Sequence, residues 1–372
     1  MDALRDHPEV LYGAAVALLI VILLTPAVGG MARLLGAVDR PERRRLNLNP
    51  IPRLGGLSLF FGIFVPALAF LELGRETRGV LLGAAVATVV GAVDDFRVLA
   101  PGRKLVGQLV AAGIPPFFGV WIDHFTFPFL GPVDLPAGVG VPLTVLWIVA
   151  VMNMVNFLDG MDGLAAGVCG IAGVTFAVLS LSLGKTDPAI LSAIVAGACI
   201  GFLRHNFFPA RIFMGDSGAL VLGFLLAAVS VQGLLKTAST VVLLLPLLVL
   251  AVPIIDTSFV VARRLKHGQP VSAPDQAHLH FRFLRRGFSQ RRAAVTMWAW
   301  CAALAGAALA TRFIPFRKGG DWHLPETLAV GGIALVALAM SLYVVYVLEI
   351  VKLTNPRRFR RNEQPADERR SA

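Results

Sequence analysis

Charged residues are scarce in this sequence. Only 15% of its 372 residues are Asp, Glu, Lys or Arg, whereas 56% are hydrophobic and the mean hydropathy is +0.73. Ordinary soluble domains carry about 25% charged residues. The shortage excludes a chain of soluble domains and indicates a polytopic membrane protein with one membrane-embedded domain.

Cysteine is also rare. The three cysteines, Cys169, Cys199 and Cys301, lie inside apolar runs, and no two of them form a CxxC pair. A disulfide framework and a zinc site are therefore not indicated. We expect these residues to act as small packing side chains.

Long apolar runs are abundant. A helix needs about 20 apolar residues to cross the hydrocarbon core. We expect an all-α fold of eleven transmembrane helices, at residues 9–29, 54–72, 79–93, 105–121, 139–157, 163–183, 189–207, 215–234, 238–262, 293–311 and 327–351. The N-terminus has no cationic segment and no clear cleavage site, so the first run is expected to be a retained helix. Residues 1–352 would form a single domain, and the basic tail 353–372 would be disordered.

The positive charge is sorted by side of the membrane. The formal net charge is +11, and 26 of the 34 Lys and Arg residues follow odd-numbered helices or lie in the C-terminal tail. The positive-inside rule then predicts a cytoplasmic C-terminus and an external N-terminus, in the cell inner (cytoplasmic) membrane. We attribute the charge to membrane topology and expect no nucleic-acid partner.

The unusual polar residues are concentrated in the predicted cytoplasmic loops. These loops are 30–53, 94–104, 156–163, 204–216 and 263–292. A transporter would instead place polar groups at mid-membrane on several helices. The pattern favours chemistry at the cytoplasmic face, and a polytopic transporter is the alternative from another class.

The loops combine many carboxylates with many cations. The acids are Asp94, Asp95, Asp159, Asp162 and Asp216, and the bases are Arg97, Arg103, Lys104, Arg211, Arg263, Arg264 and Arg282. Such closely placed acids would repel one another unless a cation lay among them. Oxygen ligands without thiolates favour Mg²⁺, or Mn²⁺, over zinc. Since the basic residues suit phosphate groups, the set indicates phosphoryl transfer.

Each feature alone also has a simpler structural interpretation. The stretch NMVNFLDGMDGLAAG, residues 153–167, could be a capped turn between helices. Arg263 and Arg264 could be cytoplasmic anchors, and the histidines of HLH at 278–280 could be solvated loop residues. Phe213 could pack in the core or stack on a nucleobase. The confinement of all these features to one face favours a shared site.

Four motifs, in this order and between these helices, resemble one family. GAVDDFRVL, NMVNFLDGMDGLAAG, RIFMGDSGALVLG and PDQAHLHFRFL are similar to motifs of the polyprenyl-phosphate N-acetylhexosamine-1-phosphate transferases. The HLH and NFLDGMDG forms resemble the undecaprenyl-phosphate N-acetylglucosaminyl-1-phosphate transferase branch. The sister branch, the phospho-N-acetylmuramoyl-pentapeptide transferases of peptidoglycan synthesis, typically carries a triple histidine and GDVGS. This chain has neither, and the sister-branch activity is the nearest alternative function.

The resemblance implies transfer of an N-acetylhexosamine 1-phosphate, expected to be that of GlcNAc, from a UDP-sugar to undecaprenyl phosphate. UMP is released, and the product starts an envelope glycan such as O-antigen, common antigen or a teichoic-acid linker. It implies Mg²⁺ at Asp216, with Asp94, Asp95, Asp159, His278 and His280 as catalytic residues. Substrate-binding positions would be Asn156, Asp162, Asn206, Phe213 and Lys104. We add Arg263 and Arg264 to the substrate-binding residues because their charge suits phosphate groups. Membrane lipids are the further partners, and a homodimer is one assembly to consider.

The chain departs from the family pattern in two places. NLN at 47–49 stands where basic residues are common, so the charge could come from residues 43–45 or from Arg53, and no single residue is assigned. Phe281 stands where a third histidine is usual, which leaves the sugar contact less defined.

Overall fold

The computed structural model describes residues 2–39, 50–127, 131–235, 240–266, 268, 278–315, 317–318 and 321–347. Its α-helices are α1 (Asp2–Asp6), α2 (Glu9–Leu34), α3 (Gly55–Phe70), α4 (Arg75–Arg97), α5 (Pro101–Phe117), α6 (Ala137–Leu158), α7 (Leu164–Ser182), α8 (Thr186–Asn206), α9 (Gly215–Ser230), α10 (Thr240–Val249), α11 (Ala251–Lys266), α12 (Leu279–Arg285), α13 (Gln290–Phe313) and α14 (Leu324–Val347). A π-helical turn, Val231–Leu235, continues α9.

Short antiparallel hairpins connect some of the helices. They pair β1 (Val38–Asp39) with β2 (Ile51–Pro52), β3 (His124–Phe127) with β4 (Gly131–Asp134), and β5 (Arg317–Lys318) with β6 (Asp321–Trp322). The expectation of a mostly helical fold is therefore confirmed, with minor strands in the connections.

Each predicted apolar run overlaps a helix, but some helices are shorter than the predicted run. Among the described residues, eight helices are long and apolar enough to cross a membrane. Helix α3 has 16 residues and α5 has 17, and the run 238–262 is divided between α10 and α11. Pro253, near the start of α11, has no N–H with which to continue α10. The number of eleven spans and the orientation of the termini remain predictions.

Some predicted features lie outside the described residues. These are residues 40–49 and 269–277 of two predicted loops, which include Arg43, Arg44 and Arg45, and the tail 353–372.

Helix α9 is the centre of the bundle. Its side chains are buried along nearly the whole helix, and it packs against α3, α4, α6, α7 and α8. Small residues permit the close packing. A Cβ added to Gly223 would lie 2.6 Å from the Cα of Met152 on α6, and one on Gly91 of α4 would lie 2.5 Å from the backbone of Asp216. Glycine at such positions lets membrane helices approach closely.

The turn between α4 and α5 brings two predicted site segments together. Helix α4 ends where Val98 adopts a positive φ of 36°, an uncommon conformation for a β-branched residue. Helix α5 then begins at Pro101, whose fixed φ suits a first helical position. This tight reversal turns Lys104 back towards Asp94, as their ion pair shows.

Candidate functional site

Lys104 is the centre of a polar cluster at one end of the bundle. Its Nζ lies 2.6 Å from Oδ2 of Asp216, 3.0 Å from Oδ2 of Asp94 and 3.2 Å from Oδ1 of Asn156. These four side chains come from α5, α9, α4 and α6. The ammonium group therefore compensates two carboxylates that would otherwise repel each other at an apolar boundary.

Asn156 completes the arrangement around Asp216. Its Nδ2 donates a hydrogen bond of 2.6 Å to Oδ1 of Asp216, while its own oxygen accepts from Lys104. A second polar pair lies one turn away along the same two helices, where Gln108 and Asn153 exchange hydrogen bonds of 3.3 and 2.9 Å. Positions three and four apart share a helix face. The seam between α5 and α6 is therefore polar over at least two layers.

Asp95 acts on the start of α9. Its Oδ1 accepts from the N–H of Asp216 at 2.7 Å, and its Oδ2 accepts from the N–H and the hydroxyl of Ser217 at 3.0 and 2.7 Å. The first N–H groups of a helix have no partner within that helix. A carboxylate there satisfies them and interacts favourably with the helix dipole. Asp95 thus fixes the backbone that carries the Asp216 side chain.

The segment PRLGG, residues 52–56, is joined to the same helix start. Gly55 N donates to Phe213 O at 2.9 Å, Gly56 N donates to Met214 O at 2.7 Å, and Phe213 N donates to Pro52 O at 2.8 Å. A Cβ on Gly56 would lie 2.0 Å from the N atom of Gly218. The two glycines therefore allow α3 to start directly against α9. Phe213 is half-buried beside this junction.

The DGMDG turn is stabilised from α8 and the loop that follows it. Asn206, which is buried, accepts from Gly163 N at 3.0 Å and donates to Ile212 O at 3.0 Å. Asp162 accepts from Ala210 N at 2.9 Å. Gly163 has a φ of 73°, which favours glycine at this turn. Both predicted nucleotide-binding residues thus use side-chain atoms to shape the turn.

Two aspartates of this turn have raised pKa values. Burial raises the pKa of Asp159 well above its ordinary value, and the negative charges of Asp216 and Asp95 raise it further, whereas Arg53 lowers it. Burial also raises the pKa of Asp162, although the hydrogen bond from Ala210 opposes the shift. A positive group that approached Asp159 would favour its ionised form.

The HLH segment lies against the same turn. The ring of His278 is 5.3 Å from that of Phe157, and the rings of His278 and His280 stack at 5.8 Å. A Cβ on Gly160 would lie 2.5 Å from Nε2 of His280. His280 is buried, and burial lowers its pKa to about 4. The structure therefore brings the histidines next to the residues that flank Asp159.

The predicted basic residues are spread over several elements. Arg53 lies 3.6 Å from Asp39 and is one-third exposed. Arg263 and Arg264 lie in the last turn of α11, the first exposed and the second buried. The guanidinium of Arg282 lies 4.2 Å above the ring of Phe259. Their assignment to phosphate groups remains a prediction.

Some residues of the site were not assigned from the sequence. Asp256 on α11 is buried and contacts both His278 and Leu279 N, at 3.1 and 2.8 Å. In the sequence, Asp256 was noticeable as an acidic residue within an apolar run, where a carboxylate is costly without a partner. Gln108 and Ser217 gave no comparable signal, because their roles depend on which helices adjoin them.

The donors around Asp216 fit the chemistry of Mg²⁺. They are carboxylate oxygens of Asp216 and Asp94 and the amide oxygen of Asn156, and a cation, the ammonium of Lys104, already lies among them. Among the described residues, no group of three or more His, Cys, Asp and Glu side chains is placed to hold a metal ion. Mg²⁺ itself usually takes only one or two protein carboxylates and completes its shell with water and phosphate oxygens.

Comparisons with known proteins agree with the resemblance. A model of glycosyl transferase family 4 matches residues 77–234. A Bacillus subtilis relative, named as an undecaprenyl-phosphate N-acetylglucosaminyl 1-phosphate transferase, is 40% identical over 285 residues, 76% of this chain and 79% of the relative. A decaprenyl-phosphate N-acetylglucosaminephosphotransferase of Mycobacterium tuberculosis is 35% identical over 352 residues, 87% of each chain. A phospho-N-acetylmuramoyl-pentapeptide-transferase of Desulforudis audaxviator is 33% identical over 334 residues, 81% of this chain and 97% of the relative.

Proposed function

The chain belongs to the polyprenyl-phosphate N-acetylglucosamine-1-phosphate transferases of glycosyl transferase family 4, and we propose that it transfers GlcNAc-1-phosphate from UDP-GlcNAc to undecaprenyl phosphate. UMP is the second product. The lipid-linked sugar phosphate would start a cell-envelope glycan, with O-antigen and teichoic-acid linkers as the two classes to test.

The observation that supports this function most directly is the cluster of Lys104, Asp94, Asp216 and Asn156. It joins a cation to oxygen ligands at one end of the bundle. Phosphoryl transfer needs this combination, because charge on the donor diphosphate and on the acceptor phosphate must be screened before the two can approach. Lys104 would exchange its carboxylate partners for phosphate oxygens when substrate binds.

Some of the remaining site residues would contact substrate, and others would hold the contacting residues in place. Asn156, Asp162 and Phe213 would face the nucleotide, with Phe213 against the uracil. Asn206 would shape the same pocket, since both ends of its side chain bind backbone groups. His278 and His280 would lie near the sugar and diphosphate, and Arg263 and Arg264 near phosphate. Asp95 would act by fixing Asp216, and Asp94 and Asp159 would adjoin the reacting groups.

The proposed cofactor is Mg²⁺, with Mn²⁺ as the alternative, held by Asp216. When bound, it would neutralise charge on the diphosphate and stabilise the departing UMP. Chelation by EDTA should stop UMP release and added Mg²⁺ should restore it. Full turnover in EDTA would contradict the metal role.

The acceptor can attack directly. The second pKa of a phosphate monoester is about 6, so much of the lipid phosphate is a dianion at pH 7. Its oxygen would bond to the phosphorus that carries the sugar, and the bond from that phosphorus to the bridging oxygen of UMP would break. The competing route is a phosphorylated enzyme at Asp94 or Asp95. Trapping labelled sugar phosphate on the protein without lipid would support that route, whereas UMP exchange that requires lipid phosphate would support direct attack.

The proposed location is the cell inner membrane, crossed eleven times, with the active site on the cytoplasmic face. The distribution of Lys and Arg supports this orientation. Reporter fusions after α13 and after residue 352 would test it. The first fusion is expected outside the cytoplasm and the second inside it. The same signal from the two fusions would contradict a crossing by α14.

A direct test uses purified protein, undecaprenyl phosphate and Mg²⁺, with UDP-GlcNAc, UDP-GalNAc or the muramyl-pentapeptide nucleotide as donor. UMP release with UDP-GlcNAc is expected. Release only with the muramyl nucleotide would support the sister-branch activity, which the relative from Desulforudis audaxviator makes worth testing. No UMP with any donor would contradict the enzyme assignment. Asp216→Asn is the matched inactive control.

A further inference from the structure

Asp256 is a carboxylate buried within an apolar helix. It lies on α11, and its side chain is 1% exposed. Its Oδ2 lies 3.1 Å from Nδ1 of His278, and its Oδ1 accepts from the N–H of Leu279 at 2.8 Å. An ionised carboxylate can only accept hydrogen bonds. When Asp256 is ionised, its contact with His278 therefore requires a proton on Nδ1.

The proton position determines what the other ring nitrogen can do. In a neutral imidazole with Nδ1–H, Nε2 has a lone pair and accepts a proton or a hydrogen bond. With the opposite tautomer, Nε2 would be a donor. A buried carboxylate that fixes the tautomer and the ring orientation of a histidine can control its chemistry without contacting substrate.

The histidine so oriented lies against the end of α6, the helix that contributes Asn156 to the polar cluster. The ring of His278 lies 5.3 Å from Phe157, which directly follows Asn156, and Asn156 binds Asp216. Its neighbour His280 packs against Gly160, which directly follows Asp159. The contacts of Asp256 therefore hold the HLH segment against the end of α6 and the turn that follows.

We propose that Asp256 is a positioning residue that holds His278 in the Nδ1–H tautomer, with Nε2 as the acceptor available to the UDP-sugar. This role rests on the proposed transferase function. Asp256 acts through His278, and its second contact, to Leu279 N, fixes the start of α12 that follows the histidine.

Asp256→Asn separates these two contacts. The amide oxygen of Asn can still accept from Leu279 N, but its NH₂ group then faces Nδ1 of His278 and requires that nitrogen to be an acceptor. The variant should keep the start of α12 and reverse the tautomer. The ¹⁵N spectrum of protein labelled at its seven histidines should show this reversal for His278, identified by comparison with His278→Gln. An unchanged His278 signal, or Nε2–H in the wild type, would overturn the proposal.

Kinetics give the second readout. We expect Asp256→Asn to lower kcat on the order of 10²-fold with a smaller change in KM, because a wrong tautomer impairs turnover more than binding. His278→Gln should remove most activity, and adding Asp256→Asn to it should cause no further loss. An equal additional loss in the double variant would show that Asp256 acts independently of His278.

The matched control is Asp187→Asn. Asp187 accepts from Thr77 at 3.0 Å in the first turn of α8, about 28 Å along that helix from Asn206. This substitution should leave kcat and the His278 signal unchanged. If the wild type released no UMP, the proposed function would fail, but the tautomer measurement would still decide whether Asp256 orients His278.

Discussion

The carboxylate of Asp95 on α4 holds Ser217 on α9 through both the backbone and the side chain. Its Oδ2 accepts from the N–H of Ser217 at 3.0 Å and from the hydroxyl at 2.7 Å, while its Oδ1 accepts from Asp216 N at 2.7 Å. Two helices remote in sequence therefore share one helix cap. The position of Asp216 depends on this cap, and so does its distance from Lys104.

Asp95→Asn should weaken both stability and turnover. The Asn amide keeps one acceptor oxygen, but its NH₂ group replaces the other oxygen and cannot accept a hydrogen bond. At least one N–H at the start of α9 therefore loses its partner. A buried unsatisfied group costs about 1–3 kcal/mol. We expect a lower unfolding temperature in detergent and a lower kcat for UMP release.

Ser217→Ala is the control for this prediction. It removes only the hydroxyl donor and keeps the two N–H contacts, so the loss should be about 0.5–1.5 kcal/mol and turnover should largely remain. If Ser217→Ala abolished turnover without changing the unfolding temperature, the hydroxyl would have to contact substrate, and the capping explanation would fail.

The sequence was enough to predict that these acids lie close together but not what each of them contacts. Asp94, Asp95 and Asp216 were visible because acids beside apolar runs are costly and therefore noticeable. The capping role of Asp95 was not visible. It depends on the close approach of α4 and α9, where a Cβ on Gly91 or Gly215 would meet backbone or carboxylate atoms. The spacing of residues along the sequence does not predict that contact.

Helix boundaries show the same limit. Apolar runs predicted where helices occur, because hydrophobic length is a local property. The division of residues 238–262 at Leu250 was not predicted, and Asn206 was assigned to substrate although its side chain bridges two backbone segments. Both features depend on tertiary contacts. The substrate contacts themselves remain predictions.

Lys104→Met should abolish most of the activity. The change removes the cation shared by Asp94 and Asp216 and the donor expected to bind phosphate. Loss of one electrostatic contact to a developing charge typically lowers kcat by about 10²–10³-fold. UMP release at saturating substrate measures the effect. Lys104→Arg should not restore full activity, because a planar guanidinium cannot reproduce the three contacts of the ammonium.

Lys185→Met is the matched control for that substitution. Lys185 is exposed and precedes α8 at the end opposite to Asn206. Its replacement should leave turnover within about twofold, since isolated surface charges contribute little. Wild-type turnover by Lys104→Met would show that the cluster is not the reaction site.

Gly56→Ala should disrupt the junction of α3 with α9. The new Cβ would lie 2.0 Å from Gly218 N and 2.3 Å from Oγ of Ser217, so the two helices would have to separate. We expect poor folding yield and loss of turnover in the protein that does fold. Gly102→Ala provides the comparison. Apart from its chain neighbours and its own helix backbone, nothing lies within 4 Å of a Cβ added there, and alanine favours a helix by up to about 1 kcal/mol. Equal folding yield and equal turnover in the two variants would contradict the steric explanation.

His280 should make stability depend on pH in the acidic range. Burial lowers its pKa from 6.5 to about 4, with Asp256 opposing the shift and His278 adding to it. Between these pH values the unfolded chain binds the proton more readily than the folded protein. Unfolding is therefore favoured progressively as the pH falls from 6.5 to 4, and above 6.5 this histidine adds no dependence.

The unfolding temperature of the detergent-solubilised protein, measured from pH 4.5 to 7.5, tests this effect. Other groups titrate in the same range, so the comparison is with His280→Leu, which cannot bind the proton but keeps a side chain next to Gly160. The wild type should lose more stability than the variant between pH 6.5 and 4.5.

Parallel curves would mean that His280 is readily protonated in the folded protein, which would require a polar partner for its ring. That result would also change the expected chemistry at the turn, since a cationic His280 beside Gly160 would stabilise the ionised form of the adjacent Asp159.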